Sequence, residues 1–340
     1  MTVGINCRFE GIANATGVQR YARMLVHLLA SCGGDMRCVA LFQKVFRGYL
    51  PGILWEHFRL EAAANARSVD LVHHPGNTAP AFATVPFVLT IHDVSVMRHS
   101  GWYSSAFAMY YRLLLPVVAR RARRILTVSE FSRREIVETL HVPESRIDVV
   151  GNAVTAPAEV VLPKRSRPYL LAVGSISPRK NLVGLLQAFP EVRRRTGVDL
   201  VVVGSTDRFY AKARLPAVEG VFFVGRVPDA ELYGFYRSAA AFVFPSFYEG
   251  FGIPLLEAFH CGAPVACSGT TGLKEIAGDA TATFDPSKSD EISAVVVRII
   301  EDSAFADMLR KRGIERLKVY SAQSFLDAHL RSYQSAMGSG

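Results

Sequence analysis

Tyr169-Leu-Leu-Ala-Val-Gly-Ser-Ile-Ser-Pro-Arg-Lys-Asn-Leu182 reads as a buried strand, a short loop and the start of a helix. The apolar run Tyr169–Val173 suits a central strand of a parallel sheet, which is covered on both faces. Leu182, Leu185, Leu186 and Phe189 then recur at helical spacing. The same alternation extends in both directions. Upstream, Thr2–Asn6, Arg37–Phe42, Asp70–His74, Phe87–Ile91, Arg124–Val128 and Ile147–Val150 read as strands. Val18, Tyr21, Leu25 and Leu28 place an amphipathic helix between the first two. Downstream, Asp199–Val203, Val221–Val224, Ala241–Phe244, Pro264–Cys267 and Ala282–Phe284 continue the series. Val154–Pro168, with Pro157, Pro163, Pro168 and the basic Lys164, Arg165 and Arg167, interrupts it as a linker. The expected class is α/β, with two Rossmann-like, doubly wound parallel-sheet domains. Their strand ends are expected to open into one interdomain cleft.

Composition agrees. The 340 residues exceed the roughly 250–300 at which one core stops growing, so two domains are expected. Half of the residues are apolar and 20% are charged, a globular balance. No apolar run approaches the roughly 18 residues of a membrane span, and the first residues lack the form of a signal peptide. Cys7, Cys32, Cys38, Cys261 and Cys267 form no CxxC pair and read as reduced thiols of a cytoplasmic protein. The net charge is +9. Residues 1–150 carry 17 Lys and Arg against 11 Asp and Glu, and residues 151–340 carry 22 against 19. Such a surplus suits nucleic acid, an anionic membrane or a phosphate-bearing substrate, or serves solubility alone. No nucleic-acid recognition motif is present. The loop after the first strand also lacks the glycine fingerprint of a dinucleotide oxidoreductase.

Two loops carry chemistry. In Glu249-Gly-Phe-Gly-Ile-Pro-Leu-Leu-Glu257, Gly250 and Gly252 precede a helix whose first turn holds Ile253 and Pro254. The free N–H groups of such a turn attract an anion. Glu249 lies in the loop and Glu257 about a turn inside the helix, so they reach two parts of one extended ligand. Carboxylates accept hydrogen bonds from vicinal hydroxyls such as those of a ribose or a sugar. In the opening stretch, Arg179 and Lys180 stand at a helix start, where the dipole disfavours cations unless an anion binds. Arg clamps phosphate bidentately and Lys adds a point charge.

These segments resemble the large retaining glycosyltransferase family 4, of GT-B fold. The similarity runs through Gly174–Leu182, Val224–Asp229, Phe244–Gly252, Glu257–Val265 and Leu273–Ala280. It continues in the first half at Gly17-Val-Gln-Arg-Tyr21, Thr90-Ile-His-Asp93 and Val128–Arg133. The Pro-Arg-Lys-Asn form is similar to that of bacterial polysaccharide and lipopolysaccharide mannosyltransferases. The resemblance implies an acceptor-binding domain over 1–155, a donor-binding domain over 156–320 and a closing helix over 321–336. The last residues, from Met337 on, read as unstructured. The implied activity is metal-independent transfer of a hexose, with retention, from a nucleotide-diphosphate sugar. GDP-mannose is the expected donor, and a saccharide or lipid-linked saccharide is the expected acceptor. No cofactor is implied beyond that donor substrate. Arg179, Lys180, Glu249 and His92 would be the catalytic group. Gly174, Arg226, Val227, Gly250, Phe251, Gly252, Ile253 and Glu257 would bind the donor, with Glu257 on the ribose and Arg226-Val227 at the base. Gly17 and Asp93 would mark the acceptor region. The pattern departs from the family at Ser175, at Lys274 and at Gly151-Asn152-Ala153. A sugar-nucleotide epimerase or a non-catalytic sugar-nucleotide binder of the same fold is the alternative.

Tyr103–Arg124 admits two readings. Its apolar residues pack in a core and its arginines favour a helix C-terminus, or the helix rests on anionic lipid at the inner membrane face. Pro116 is expected to kink or break it. His73 and His74 read as structural.

Overall fold

The computed structural model describes residues 1–8, 17–31, 36–42, 49–205 and 215–338. The first series of strands is β1 (Thr2–Asn6), β2 (Arg37–Leu41), β3 (Leu71–His74), β4 (Phe87–Thr90), β5 (Arg124–Thr127) and β6 (Ile147–Val149). Its helices are α1 (Gly17–Ala30), α2 (Tyr49–Phe58), α3 (Leu60–Asn65), α4 (Ser95–Arg98), α5 (Ser105–Arg121) and α6 (Glu130–Leu140). The second series is β7 (Tyr169–Val173), β8 (Asp199–Val203), β9 (Val221–Gly225), β10 (Ala241–Phe244), β11 (Val265–Ser268) and β12 (Ala282–Phe284). Its helices are α7 (Leu182–Thr196), α8 (Asp229–Ser238), α9 (Ile253–His260), α10 (Thr271–Ala277), α11 (Ser289–Glu301) and α12 (Ser303–Leu317). The final helix is α13 (Ala322–Gly338). The chain divides into two compact units.

The first unit comprises Met1–Arg98, Ala108–Ala153 and Ala322–Gly340. Its sheet is parallel, in the order β2-β1-β3-β4-β5-β6, with the order reversing between β1 and β3. The central strands β3 and β4 are buried throughout, and their polar residues His73, His74 and Thr90 are hydrogen-bonded inside. Tyr21 and Leu25 of α1 are buried, whereas Val18 and Leu28, on the same predicted face, are only half-covered. α13 lies in this unit, with Phe325, Leu326, His329, Ser332, Tyr333 and Ala336 buried. It continues through Met337 and Gly338, which corrects the expectation of an unstructured end there; residues 339 and 340 lie outside the described residues, as does Cys32. α5 runs unbroken through Pro116. The expected break is absent: Ala108, Tyr111, Leu115, Val118 and Ala119 on both sides of the proline are buried, and this packing outweighs one missing helical hydrogen bond.

The second unit comprises His99–Phe107 and Val154–Ser321. Its parallel sheet has the order β12-β11-β10-β7-β8-β9, the doubly wound Rossmann arrangement. The order reverses between β7 and β10, which pair directly. One core cluster joins Leu185, Leu186 and Phe189 of α7 to Leu170, Leu200 and Val243 of the sheet and to Ile292 and Val296 of α11. Residues 154–168 form no helix or strand, and Thr155 and Val161 meet α8. The Val161 N–H donates to Ala230 O at 3.0 Å. A Cβ at Gly234 would stand 1.9 Å from Val161 O, so only glycine allows this approach.

Two buried histidines, His73 and His329, and the half-buried His92 shape the acid response of the first unit. Burial pulls the pKa of His329 down to about 4, and burial first, then neighbouring imidazoles, pulls His73 well below 6.5. His92 is lowered by burial too, against the pull of Pro75 O and Asp93. The titratable and polar groups facing them are Tyr21, His74, Thr90, Asp93 and Tyr333. Unfolded, each histidine takes up a proton near 6.5 that the folded chain refuses, so stability is full above that pH and falls as pH drops. His329 alone should cost about 3 kcal/mol by pH 4. Thermal melts between pH 7 and 4 should show a steadily falling Tm, and His329→Phe should flatten that slope.

Candidate active site

The reversal between β7 and β10 brings the two loops that follow these strands side by side, where doubly wound sheets bind ligands. After β7 the chain enters the left-handed region at Gly174 (φ +147°), where a Cβ would sit 3.2 Å from Lys180 Cε. Pro178–Lys180 form one tight turn, and Asn181 caps α7 by accepting from the Gly184 N–H at 3.2 Å. After β10, Gly252 (φ +98°) precedes α9, and a Cβ there would strike Leu273 at 2.6 Å. Ile253 and Pro254 open the helix, and Phe251 is buried with its ring edge-on to Tyr320. The Gly272 N–H donates to Glu249 O at 3.0 Å and the Glu249 N–H to Thr271 Oγ1 at 3.2 Å. A Cβ at Gly272 would lie 2.3 Å from Gly250 O, so α10 closes on the loop through a glycine.

Glu249 stands at the centre. Lys180 Nζ donates to its Oε1 at 2.6 Å, and Arg179 Nη1 donates to its Oε2 at 3.0 Å and to Tyr248 O at 2.9 Å. The three side chains are only 8–14% exposed. Burial works to raise the Glu249 pKa, but Arg179 and Lys180 outweigh it and hold the carboxyl below its ordinary value. Lys180 Nζ also lies 4.8 Å from the Phe244 ring centre. The trio carries a net positive charge beside the start of α9, an arrangement suited to a polyanion.

Glu257 is buried one turn into α9, and Tyr236 Oη donates to its Oε2 at 2.9 Å. Arg226, just past β9, is exposed and its Nε donates to Ser205 Oγ at 2.7 Å; Val227 is half-buried beside it. Tyr236, Thr271 and Gly204 had no signal of their own in the sequence. Gly204 (φ +143°) lets β8 end against β7, since a Cβ would lie 1.8 Å from Gly174 O.

In the first unit, His92 follows β4 and is fixed on several sides. Its Nε2–H donates to Pro75 O at 2.9 Å, which leaves Nδ1 as the ring's acceptor. Its backbone N–H donates to Asn77 Oδ1 at 2.8 Å, and its carbonyl accepts from Ser132 Oγ at 2.9 Å. Asp93 Oδ1 accepts from the Ser95 N–H and hydroxyl at 2.9 and 2.6 Å, which opens α4. Gly17 is the exposed first residue of α1. His73 and His74 are fully buried and hydrogen-bonded. At the reversal between β1 and β3, sequence reasoning missed a buried cluster. Glu56 accepts from Asn6 Nδ2 at 2.5 Å and Thr78 Oγ1 at 3.0 Å and pairs with Arg8 at 3.1 Å. Burial would raise the Glu56 pKa, yet Arg8 and His74 hold it at about 2.

Residues 158–316 match the family described as glycosyl transferases group 1, and residues 15–156 match glycosyltransferase family 4. The chain is 33% identical over 296 residues to O-antigen chain mannosyltransferase B of Escherichia coli, covering 82% of this chain and 78% of that one. It is 31% identical to glycogen synthase of Mycobacterium tuberculosis, covering 73% of this chain and 62% of the relative. Among solved structures, sucrose-phosphate synthase from Thermosynechococcus elongatus aligns with a TM-score of 0.75 at 18% identity, covering 100% of this chain and 99% of that one. The Anabaena HepE protein in complex with UDP-glucose aligns at 0.74 and 16% identity, covering 98% of this chain and 99% of that one. Both structural likenesses concern the fold.

Glu249→Gln removes the counter-charge from two poorly solvated cations. It should destabilise the chain by about 3 kcal/mol, measured by urea unfolding. Added pyrophosphate should then raise the Tm of the variant more than that of the parent, because the anion replaces the lost charge.

Proposed function

The chain belongs to the glycosyltransferases of group 1 and family 4, with the GT-B fold, and from that premise we propose that it transfers mannose, with retention, from GDP-mannose to a saccharide or lipid-linked saccharide in polysaccharide synthesis. The observation that carries this reading is the Arg179–Lys180–Glu249 cluster at the strand reversal. The kinship with an O-antigen mannosyltransferase supports the sugar, and the solved relative with UDP-glucose supports a nucleotide-sugar donor.

In this reading Arg179 and Lys180 hold the diphosphate, and the N–H groups at Gly250, Phe251, Gly252 and Ile253 line its approach. Glu249 accepts from sugar hydroxyls, Glu257 from the ribose, and Arg226 and Val227 flank the base. Gly174 lets the backbone approach closely. His92 Nδ1, on the acceptor-binding domain, accepts from a hydroxyl of the donor sugar, with Gly17 and Asp93 in the acceptor region. A carboxylate paired with two cations is a weak nucleophile, so double displacement through Glu249 is disfavoured. Substitution on one face fits better. The bond from the anomeric carbon to the diphosphate oxygen breaks, the acceptor oxygen bonds to that carbon, and its proton passes to the leaving diphosphate. The cations and the α9 N-terminus stabilise the charge that grows there. Arg179 and Lys180 then do the work for which other transferases use a divalent ion. With GDP-mannose as donor, Lys180→Ala should lower turnover by about 100-fold. EDTA should leave the parent's rate unchanged; a rate abolished by EDTA and restored by a divalent cation would overturn metal independence.

No helix among the described residues is long and apolar enough to cross a membrane. We assign the work to the cytoplasm, at the inner membrane face, on the outer side of α5. Met109, Leu113 and Val117 recur at four-residue spacing and are 56%, 67% and 42% exposed. Arg112 and Arg120 lie exposed on the same helix, whereas Arg121 donates to Ala83 O and Arg124 pairs with Asp148. One face of α5 is thus core and the other suits anionic lipid. In flotation assays the protein should rise with phosphatidylglycerol vesicles and not with phosphatidylcholine vesicles, and Leu113→Glu should abolish the difference.

A further inference from the structure

Five buried side chains of the first unit form one hydrogen-bonded path. Tyr333 Oη lies 2.8 Å from His73 Nδ1, and His73 Nε2 lies 2.7 Å from Thr90 Oγ1. Thr90 Oγ1 lies 3.2 Å from Tyr21 Oη, Tyr21 Oη lies 2.6 Å from His329 Nε2, and His329 Nδ1 lies 2.7 Å from Phe325 O. All five side chains are fully buried. The path leaves α13 at Tyr333, crosses β3, β4 and α1, and returns to α13.

The direction of every bond can be deduced. Phe325 O only accepts, so His329 Nδ1 carries the proton. A neutral His329 then has a lone pair on Nε2, and Tyr21 must donate to it. The single Tyr21 proton is thereby used, so Thr90 donates to Tyr21. The Thr90 proton is used in turn, so His73 donates from Nε2. Its Nδ1 is left to accept from Tyr333. Five protons serve five bonds in one direction, and a further proton on either imidazole would face a tyrosine O–H already pointing at it.

Midway, the path also passes beside His92. The Tyr21 ring stands edge-on to the His92 ring, with centroids 4.8 Å apart and planes at 84°. Thr90 precedes His92 by two residues at the end of β4, and Thr90 O accepts from the Asn77 N–H at 3.0 Å while Asn77 Oδ1 holds the His92 N–H. We propose that Tyr21 is a positioning residue for His92, and that α13 sets it through this one-way chain of hydrogen bonds. The inference rests on the proposed role of His92 at the donor sugar. Tyr21 touches no reacting atom; it fixes the imidazole whose Nδ1 must face a hydroxyl.

The test is nitrogen NMR on the full chain labelled at histidine, together with steady-state kinetics on GDP-mannose. In the parent at pH 7, His329 should be protonated at Nδ1 alone, and His73 and His92 at Nε2 alone. Tyr21→Phe keeps the ring and cuts the chain. It should shift the His92 ring signals and lower kcat about tenfold while moving the donor KM by less than about twofold. Tyr333→Phe cuts the chain at its head and should shift the same His92 signals by less. It decides the matter if Tyr21→Phe fails to fold. His73 protonated at Nδ1, His329 protonated at Nε2, or unchanged His92 signals in a folded variant would each overturn the proposal. The spectra read the chain without a transfer assay, so loss of the transferase reading would leave this arm standing.

Discussion

The carboxylate of Glu249, held between Arg179 and Lys180, is the contact on which the second unit's site depends. Two cations adjacent in sequence repel, and neither is well solvated here. Glu249 balances them from a loop that lies 69 and 70 residues further along the chain. The parallel sheet makes the meeting possible, because its order reverses between β7 and β10. Glycines make it close, since Gly174, Gly204, Gly252 and Gly272 all stand where a Cβ would meet a neighbour at 3.2 Å or less. The site is thus assembled by sheet order and tightened by missing side chains.

Much of this was legible in the sequence. Strands buried on both faces announce themselves as apolar runs, and the twelve predicted strands match the structure to within a residue or so at their ends. Arg179, Lys180 and Glu249 were legible as chemistry, because cations at a helix start and a carboxylate before a glycine-rich turn are both unusual placements. Their pairing was not, since spacing along the chain says nothing about which loops a crossover joins. Pro116 misled because local steric rules carry no knowledge of the buried residues on either side of it. Met337 and Gly338 misled because a helix end is decided by what the preceding turns pack against.

The histidines divide along the same line. His92 stood out by its strand-end position, whereas His73 and His329 are separated from their partners by as many as 260 and 308 residues. Their meaning comes from burial and from direction: each ring has one nitrogen to give and one to receive. The net charge of +9 resolves in a similar way. Arg179 and Lys180 sit on a carboxylate, Arg124 pairs with Asp148, and Arg112 and Arg120 stand outside. A single number for charge hides three different physical situations.

The placement of α13 in the first unit carries a consequence for biosynthesis. Until residues 322–338 have left the ribosome, Tyr21, His73 and Thr90 lack the helix that completes their hydrogen bonds, and the apolar surface that Phe325 and Leu326 cover stays open to water. That helix is part of the first unit, not of the second. Domains usually mature in the order of their synthesis. Here the half made first is finished last, and the nascent chain must carry an incomplete amino-terminal half throughout the translation of its successor.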